Sequence, residues 1–218
     1  MEKSPIIEKT PVTKDTKVSK KVWLYKIKIT LKVHEKVTRT LILPAELRLD
    51  QVHQIIQEAF GWYDYHLHSF ETKGESYVSD IEESWIDDDI DEKTARLCDI
   101  LTPDNKSIVY TYDFGDYWQH KITLMSADYQ KAVPQPIYCE KAVGATPPED
   151  CGGPGGYYDF CKMIADPNHP ERASMLEWRG IEPDDEIPWP DKVYINNINL
   201  ALQFINSKPT KPVKEKTR

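Results

Sequence analysis

Apolar and polar residues alternate along the first structured part of the chain and predict a β-hairpin. In residues 22–33 every second position is aromatic or aliphatic, and several of the positions between them are Lys or Thr. Residues 34–36 form a polar turn, and residues 37–43 are rich in β-branched and aliphatic side chains until Pro44. We therefore expect two adjacent strands with one buried face.

Helical spacing follows the hairpin. Asp50 stands at an N-cap position, apolar residues recur at helical intervals through residues 52–60, and Gly61 stands just past the end. Further strands follow this helix. The pattern predicts an α+β fold with a mostly antiparallel sheet, one packed helix, a β-grasp-like strand-strand-helix-strand start and C-terminal helices.

A second hairpin is predicted in the middle of the chain. Residues 108–112 and 118–124 alternate around the turn Asp113-Phe-Gly-Asp116, so that Trp118 and His120 fall on the apolar face. A half-buried imidazole needs hydrogen-bond partners, and the turn carboxylates of Asp113 and Asp116 are the nearest candidates. The hairpin is therefore either a structural turn with a satisfied histidine or the edge of a ligand site.

Two histidines lie on a predicted strand in residues 62–70. Alternation places His66, His68 and Phe70 on one side, where both imidazoles can reach one metal ion. The alternative is an amphipathic strand whose histidines face a polar rim. The acidic residues 81–99 lack the turn glycine of an EF-hand because Ile90 stands in its place, so we expect a solvated loop or short helix there.

A glycine-rich stretch opens the helical part of the chain. Residues 149–157 read Glu-Asp-Cys-Gly-Gly-Pro-Gly-Gly-Tyr and lead into an apolar helical stripe that ends at Asp166-Pro167. A phosphate cradle is disfavoured because Pro154 lacks an N–H and two carboxylates precede the glycines. The alternative is a rigid connection that docks against the central hairpin. A short helix from Pro170 and a last helix capped by Asp191 are predicted next.

Charge divides the chain into three parts. Residues 1–21 carry a net charge of +3 and residues 207–218 a net charge of +4, while the whole chain carries −8. Residues 22–206 therefore carry a net charge of −15. We expect a disordered basic leader, a single α+β domain in 22–206 and a disordered basic tail. The acidic body disfavours duplex DNA, and only the tails could contact phosphates. With no signal peptide, no membrane span and no C-x-x-C pair among four cysteines, we expect a cytoplasmic protein with free thiols.

Three long motifs carry a family resemblance. They are Phe60-Gly-Trp followed by His66-Leu-His-Ser-Phe70, Tyr112-Asp-Phe-Gly-Asp-Tyr-Trp-Gln-His120, and Pro147-Pro-Glu-Asp-Cys-Gly-Gly-Pro-Gly-Gly-Tyr157. In this order they resemble the plasmid pRiA ORF-three-like family, whose members are sometimes labelled insertion-element passenger proteins of the TnpR (resolvase) type. The resemblance implies a compact α+β fold and an association with mobile elements, but no reaction. The few, scattered arginines and the acidic body oppose a serine recombinase.

The motifs define one candidate pocket. Its residues are His66, His68, Asp113, Asp116, Trp118, His120, Glu149, Asp150, Gly152, Gly153 and Tyr157. A divalent metal is a possible cofactor, with ligands drawn from His66, His68, Asp113, Asp116 and His120.

Three functions are compatible with this pocket. The first is a non-enzymatic binding or accessory module associated with mobile genetic elements, with a protein or small-molecule ligand. The second is a metal-dependent hydrolase in which Glu149 or Asp150 acts as base. The third is weak nucleic-acid binding through the tails.

Overall fold

The computed structural model describes residues 21–81, 88–131, 136–182 and 185–207. The segments predicted as basic leader and tail lie outside these ranges except for Lys21 and Ser207, and part of the acidic stretch lies outside them as well. None of the helices within the described ranges is long and apolar enough to cross a membrane.

The architecture is α+β, as the sequence predicts. The strands in chain order are β1 (Lys21–Leu31), β2 (Thr38–Pro44), β3 (His68–Thr72), β4 (Glu75–Val78), β5 (Ile90–Asp91), β6 (Ser107–Tyr112), β7 (Trp118–Lys131) and β8 (Tyr138–Val143). The helices are α1 (Leu49–Phe60), α2 (Leu97–Ile100), α3 (Gly153–Ala165), α4 (Arg172–Trp178) and α5 (Ile195–Ser207), with a 3-10 turn at Glu92–Thr94.

One sheet contains all of these strands in the order β5-β4-β3-β6-β7-β1-β2-β8. Each pair in it is antiparallel except β4 with β5. The two predicted hairpins, β1 with β2 and β6 with β7, are both present, and they join through the long pairing of β1 with β7. The sheet therefore has further strands on both sides of the strand-strand-helix-strand start: β8 lies beyond β2, and β4 and β5 lie beyond β3.

Helix α1 packs an apolar face on the core, but it begins differently from the prediction. The N-cap is Arg48 rather than Asp50, because the backbone N–H of Arg48 donates to the side chain of Gln51. Asp50 lies in the first turn, where its carboxylate accepts two hydrogen bonds from the Arg48 guanidinium. The predicted end is found: Gly61 adopts φ 74°, a left-handed conformation that suits glycine.

The strand that was expected to carry both His66 and His68 is shorter than predicted. β3 begins at His68, which pairs with Tyr112 of β6, and His66 lies in the preceding loop. The two imidazoles therefore do not share a strand face. The last two helices also begin later than expected, α4 at Arg172 and α5 at Ile195.

The edge strand β8 is covered by α5. The side-chain amide of Asn199 donates to the carbonyl of Cys139 over 3.0 Å, and its oxygen accepts the Cys139 backbone N–H over 2.7 Å. Both backbone groups of Cys139 are thus satisfied from the helix, on the side of β8 that faces away from β2.

A buried arginine joins the end of α1 to the end of β8. Arg39 is 1% exposed. Burial lowers the pKa of its guanidinium to about 10, and the ring of Phe60 lies 5.0 Å below the charge. The guanidinium donates to the carbonyl oxygens of Thr38, Ala59, Val143 and Gly144 and to the hydroxyl of Thr146.

We expect Arg39→Met to destabilise the protein by roughly 3 kcal/mol or more, because several buried carbonyls lose their donor at once. Urea unfolding followed by circular dichroism measures the change. Arg96→Met is the matched control: Arg96 is exposed and pairs with Asp99 over 3.1 Å, and such pairs contribute about 1 kcal/mol or less. Equal losses in the two variants would contradict the role assigned to Arg39.

Candidate functional site

The three motif stretches meet at one end of the sheet. His68, Tyr112 and Trp118 lie in register on neighbouring strands, so the loop before β3 and the turn between β6 and β7 leave the sheet together. The glycine stretch before α3 docks on this turn, where the N–H of Gly152 donates to the carboxylate of Asp116 over 3.2 Å. Residues that are far apart in the sequence are thereby brought to one surface.

The docking is close enough to require glycine. A Cβ on Gly153 would lie 2.3 Å from the carbonyl oxygen of Asp116, and Gly153 adopts φ +67°. No residue with a side chain fits both this contact and this backbone conformation without strain. The glycine stretch is thus a rigid connection docked on the hairpin, in agreement with one of the two interpretations of the sequence.

Glu149 ties the glycine stretch to the loop before β3. Its carboxylate accepts the Tyr112 hydroxyl over 2.7 Å and the Tyr63 N–H over 2.8 Å. Burial, and then the bond to Glu149, raises the pKa of Tyr112, so this phenol keeps its proton and remains the donor. The Trp62 indole N–H adds a bond of 3.0 Å to the carbonyl of Pro147.

His66, Asp113 and Asp150 form a compact group on this surface. Nε2 of His66 lies 3.2 Å from Asp150 Oδ1 and 3.7 Å from Asp113 Oδ2. One ligand atom from each residue lies within 4.8 Å of the other two. The His66 nitrogen is shielded from solvent, and neither carboxylate is aligned to form a hydrogen bond with it.

The carboxylate of Asp113 is held by backbone N–H groups of the turn. Oδ1 of Asp113 accepts the N–H groups of Gly115 over 2.9 Å and Asp116 over 3.3 Å, and this leaves Oδ2 to face His66. Asp113 and Asp150 adopt φ values of 55° and 57°. Left-handed conformations are unfavourable for non-glycine residues and accumulate at functional sites.

The spacing of this group fits a divalent metal ion. Ligands about 2.1 Å from a tetrahedral ion are roughly 3.4 Å apart, close to the separations of His66 from the two carboxylates. Imidazole and carboxylate ligands together suit Zn²⁺, Mn²⁺ and Fe²⁺. The side chain of Asp150 is 68% exposed, so the Asp150 side of the group faces solvent.

A second group lies deeper, between α1 and β3. His53 of α1 and His68 stack with ring centroids 3.5 Å apart and planes at 2°. Nε2 of His53 lies 2.7 Å from Asp64, and Nε2 of His68 lies 2.8 Å from the buried carboxylate of Glu92. Burial and the neighbouring His68 lower the pKa of His53 to about 4.

Hydrogen bonding assigns the proton of His53. Tyr110 is fully buried and its pKa is raised well above the usual value, so it carries its hydroxyl proton. Its oxygen accepts the Gln57 amide over 2.9 Å, and the hydroxyl donates to Nδ1 of His53 over 2.8 Å. The remaining proton of the neutral ring is then on Nε2, which donates to Asp64.

The stacked geometry makes this second group a poorer metal site. His53, Asp64 and His68 do have ligand atoms within 4.8 Å of one another. A metal ion bound to imidazole lies in the ring plane, however, and two parallel planes 3.5 Å apart share no such position. In this arrangement the histidines form hydrogen bonds with the carboxylates of Asp64 and Glu92.

The five candidate ligands named from the sequence are therefore not brought to one point. His66 and Asp113 meet Asp150, whereas His68 belongs to the second group. His120 belongs to neither group: it is fully buried between Phe60 and Trp62, and its Nδ1 donates to the carbonyl of Trp118 instead of to a turn carboxylate.

Other members of the candidate pocket also lie elsewhere. Trp118 and Tyr157 are fully buried in the core and line no surface. Asp116, Gly152 and Gly153 form the docking contact beside the metal group, and Glu149 forms the tie to Tyr112.

Sequence reasoning did not include His53, Asp64 and Glu92 among the site residues. A histidine on the apolar face of α1 was the available signal for His53, because buried imidazoles have partners. Nothing in the linear pattern pairs it with His68, since that contact depends on how α1 crosses the sheet.

Comparison with known proteins shows the family of this chain. The sequence model of the "Plasmid pRiA4b ORF-3-like protein" family matches residues 23–190. The chain belongs to this family. All three metal-group residues lie within the matched region.

Two individual proteins are similar to this member of the ORF-3-like family. The "Uncharacterized protein y4hQ" of Sinorhizobium fredii (strain NBRC 101917 / NGR234) is 34% identical over 194 residues, 88% of this chain and 97% of the relative. The crystal structure of a "Protein of Unknown Function MM3350 from Methanosarcina mazei Go1" has a TM-score of 0.70 at 29% identity and covers 81% of this chain and 97% of its own. Neither description gives an activity, so the resolvase label stays unsupported.

We expect two glycines of this family motif to respond oppositely to alanine. Gly153→Ala places a Cβ against the Asp116 carbonyl and should destabilise the protein by roughly 1–3 kcal/mol. Gly155→Ala, in α3 with nothing near the added Cβ, should stabilise it by about 0.5–1 kcal/mol. Thermal and urea unfolding measure both. A neutral Gly153→Ala would show that the docking contact is loose.

The buried histidines should make stability fall in acid. Burial lowers the pKa of His120 to about 3, and that of His53 is lowered to about 4, whereas an unfolded histidine titrates near 6.5. The unfolded chain therefore takes up protons first. The stabilisation is complete above about pH 6.5 and decreases as the pH falls toward 4, by up to about 1.4 kcal/mol per pH unit for each histidine.

His120→Phe should flatten this pH dependence between about pH 6.5 and 4, since one buried titrating group is removed. His34→Phe, at an exposed histidine, is the control and should keep the wild-type slope. Urea unfolding at a series of pH values measures all three proteins, and parallel curves for wild type and His120→Phe would contradict the assignment.

Proposed function

We propose that the protein binds a divalent metal ion through His66, Asp113 and Asp150 and acts as a metal-dependent hydrolase. One observation carries the proposal: each of the three motif stretches that define the family resemblance supplies one member of this group. Three separate loops converge on a point at metal-ligand spacing, and each loop is fixed by its own hydrogen bonds.

The arrangement supports hydrolysis better than a structural metal role. Structural zinc sites are closed by four protein ligands, whereas catalytic sites keep three and leave a position for water. The ion would lower the pKa of a bound water toward 7, so hydroxide becomes available as a nucleophile at neutral pH. The proton can leave directly to solvent, because the Asp150 side of the group is exposed.

A non-enzymatic binding module is the second candidate, and the exposed aromatic side chains favour it. Tyr63, Tyr65, Phe114 and Tyr117 are each between 49% and 75% exposed, and all lie in the two loops that supply His66 and Asp113. Tyr63 and Tyr65 stack with centroids 5.6 Å apart. Such a surface could bind a partner with or without turnover. The association with mobile elements, the cytoplasmic location and tail-dependent nucleic-acid binding remain predictions.

Metal binding is tested first. The chelator-treated full-length protein should bind about one Mn²⁺ or Zn²⁺ per chain in isothermal titration calorimetry. His66→Ala and Asp113→Asn should each weaken binding by at least about tenfold, since the first removes one of three ligands and the second replaces a charged ligand with a neutral one. His34→Ala and Asp104→Asn, at exposed residues outside the group, are matched controls and should bind like wild type.

Two further results separate the alternatives. The His68→Ala variant should still bind the metal. If His68→Ala lost metal binding and His66→Ala kept it, the site would lie at the stacked histidines instead. Metal-loaded protein should hydrolyse members of a panel of activated esters and phosphoesters, and Asp113→Asn should not. Metal binding without turnover of any panel member would favour the binding module, and no metal binding would overturn the proposal.

A further inference from the structure

A cavity of about 380 Å³ lies between α3 and α4, next to the proposed metal group. Phe160 and Met163 of α3 form one wall, and Met175 and Trp178 of α4 form the other. Volumes of this size are typical of small-molecule pockets. Phe160 and Trp178 meet edge to face, with ring centroids 6.3 Å apart and planes at 77°.

The cavity and the metal group share a residue. Asp150 lines the cavity and also faces His66 over 3.2 Å. A ligand can therefore contact the metal group and the cavity at the same time. Gly156 lies in the lining as well, so the backbone of the first turn of α3 comes close to the space.

The charged side chains in the lining of the cavity have one sign. Asp150 and Asp159 lie in this lining, and neither Lys nor Arg does. The guanidinium of Arg179 lies outside the lining, 5.2 Å from the centre of the Trp178 ring. Cys151 also contributes, but burial, followed by the nearby Asp116, raises the pKa of its thiol to about 12, so it stays neutral. An anionic group would be repelled here, whereas a neutral or cationic group would not.

We propose that this cavity binds the apolar, non-anionic group of the substrate whose hydrolysable bond lies at the His66, Asp113 and Asp150 group. The position of the hydrolysable bond rests on the proposed function, whereas binding of the apolar group in the cavity does not. Two methionines suit a range of shapes, because their side chains are flexible and polarisable. The substrate class is thus an ester, amide or phosphoester of an alkyl or aromatic group that carries no negative charge of its own.

Three probes of matched length test the charge preference: hexylamine, 1-hexanol and hexanoate. Calorimetry with the chelator-treated full-length protein should detect hexylamine and hexanol. Hexanoate should bind at least about fivefold more weakly, since a charge repulsion near 4 Å costs about 1 kcal/mol even in water. Equal or tighter binding of hexanoate would overturn the proposal.

Filling the cavity tests its location. Met163→Trp places a larger side chain in the lining and should abolish hexanol and hexylamine binding. Met125→Trp is the matched control: Met125 is 57% exposed on β7 and lies outside the lining, so this variant should bind as wild type does. Asp159→Asn, which keeps the shape, should reduce the discrimination against hexanoate. Circular dichroism and the melting temperature confirm that each variant is folded.

Metal binding, measured separately, distinguishes the two proposals. Probe binding that Met163→Trp removes and Met125→Trp keeps supports the cavity even if no metal binds, and the hydrolase proposal then fails alone. Metal binding without detectable hexanol or hexylamine binding means that the cavity proposal fails alone. When both are present, hydrolysis of hexyl esters should exceed that of methyl esters in wild type and not in Met163→Trp.

Discussion

The candidate site depends on the contact between Gly153 and the carbonyl of Asp116. The two backbones lie so close that a Cβ on Gly153 would be 2.3 Å from this oxygen, and the glycine stretch can therefore occupy only one position on the turn between β6 and β7. Asp113 and Asp150 each lie three residues before a partner in this contact. Fixing the contact therefore places the backbone of both residues, and the Glu149 bonds to Tyr112 and Tyr63 fix the loop that carries His66. The group of His66, Asp113 and Asp150 is held by backbone packing more than by contacts among its own members.

Strained backbone surrounds this contact and is compensated locally. Asp64, Asp113 and Asp150 all adopt left-handed conformations, and each places its carboxylate within 3.7 Å of a histidine nitrogen. Such conformations cost of order 1 kcal/mol or more and persist only where surrounding bonds impose them. Here the hydrogen bonds that the carboxylates of Asp113 and of the neighbouring Glu149 accept do so, and the acidic side chains are held close to one another despite their repulsion.

The sequence predicts the fold better than it predicts the site. Period-two alternation identifies both hairpins, and helical spacing with Gly61 identifies α1, because these patterns are local. The partners of the histidines are not local. His120 lies two residues inside β7 and points into the core toward Phe60 and Trp62, whereas the turn carboxylates point toward the loops. His68 meets His53 because α1 crosses β3, a packing angle that no linear pattern encodes.

The Asn199 amide bears on how the outer strand β8 is protected from pairing with a foreign strand. β8 is an outer strand of the sheet, and unpaired peptide groups on such a strand are a template for a foreign strand. Asn199 already occupies both peptide groups of Cys139, so an incoming chain would meet a side chain that imitates the next strand. Within the described part of the chain, the opposite edge is formed by a strand of only two residues, Ile90–Asp91. The sheet thus ends in a covered edge on one side and in an edge too short to copy on the other.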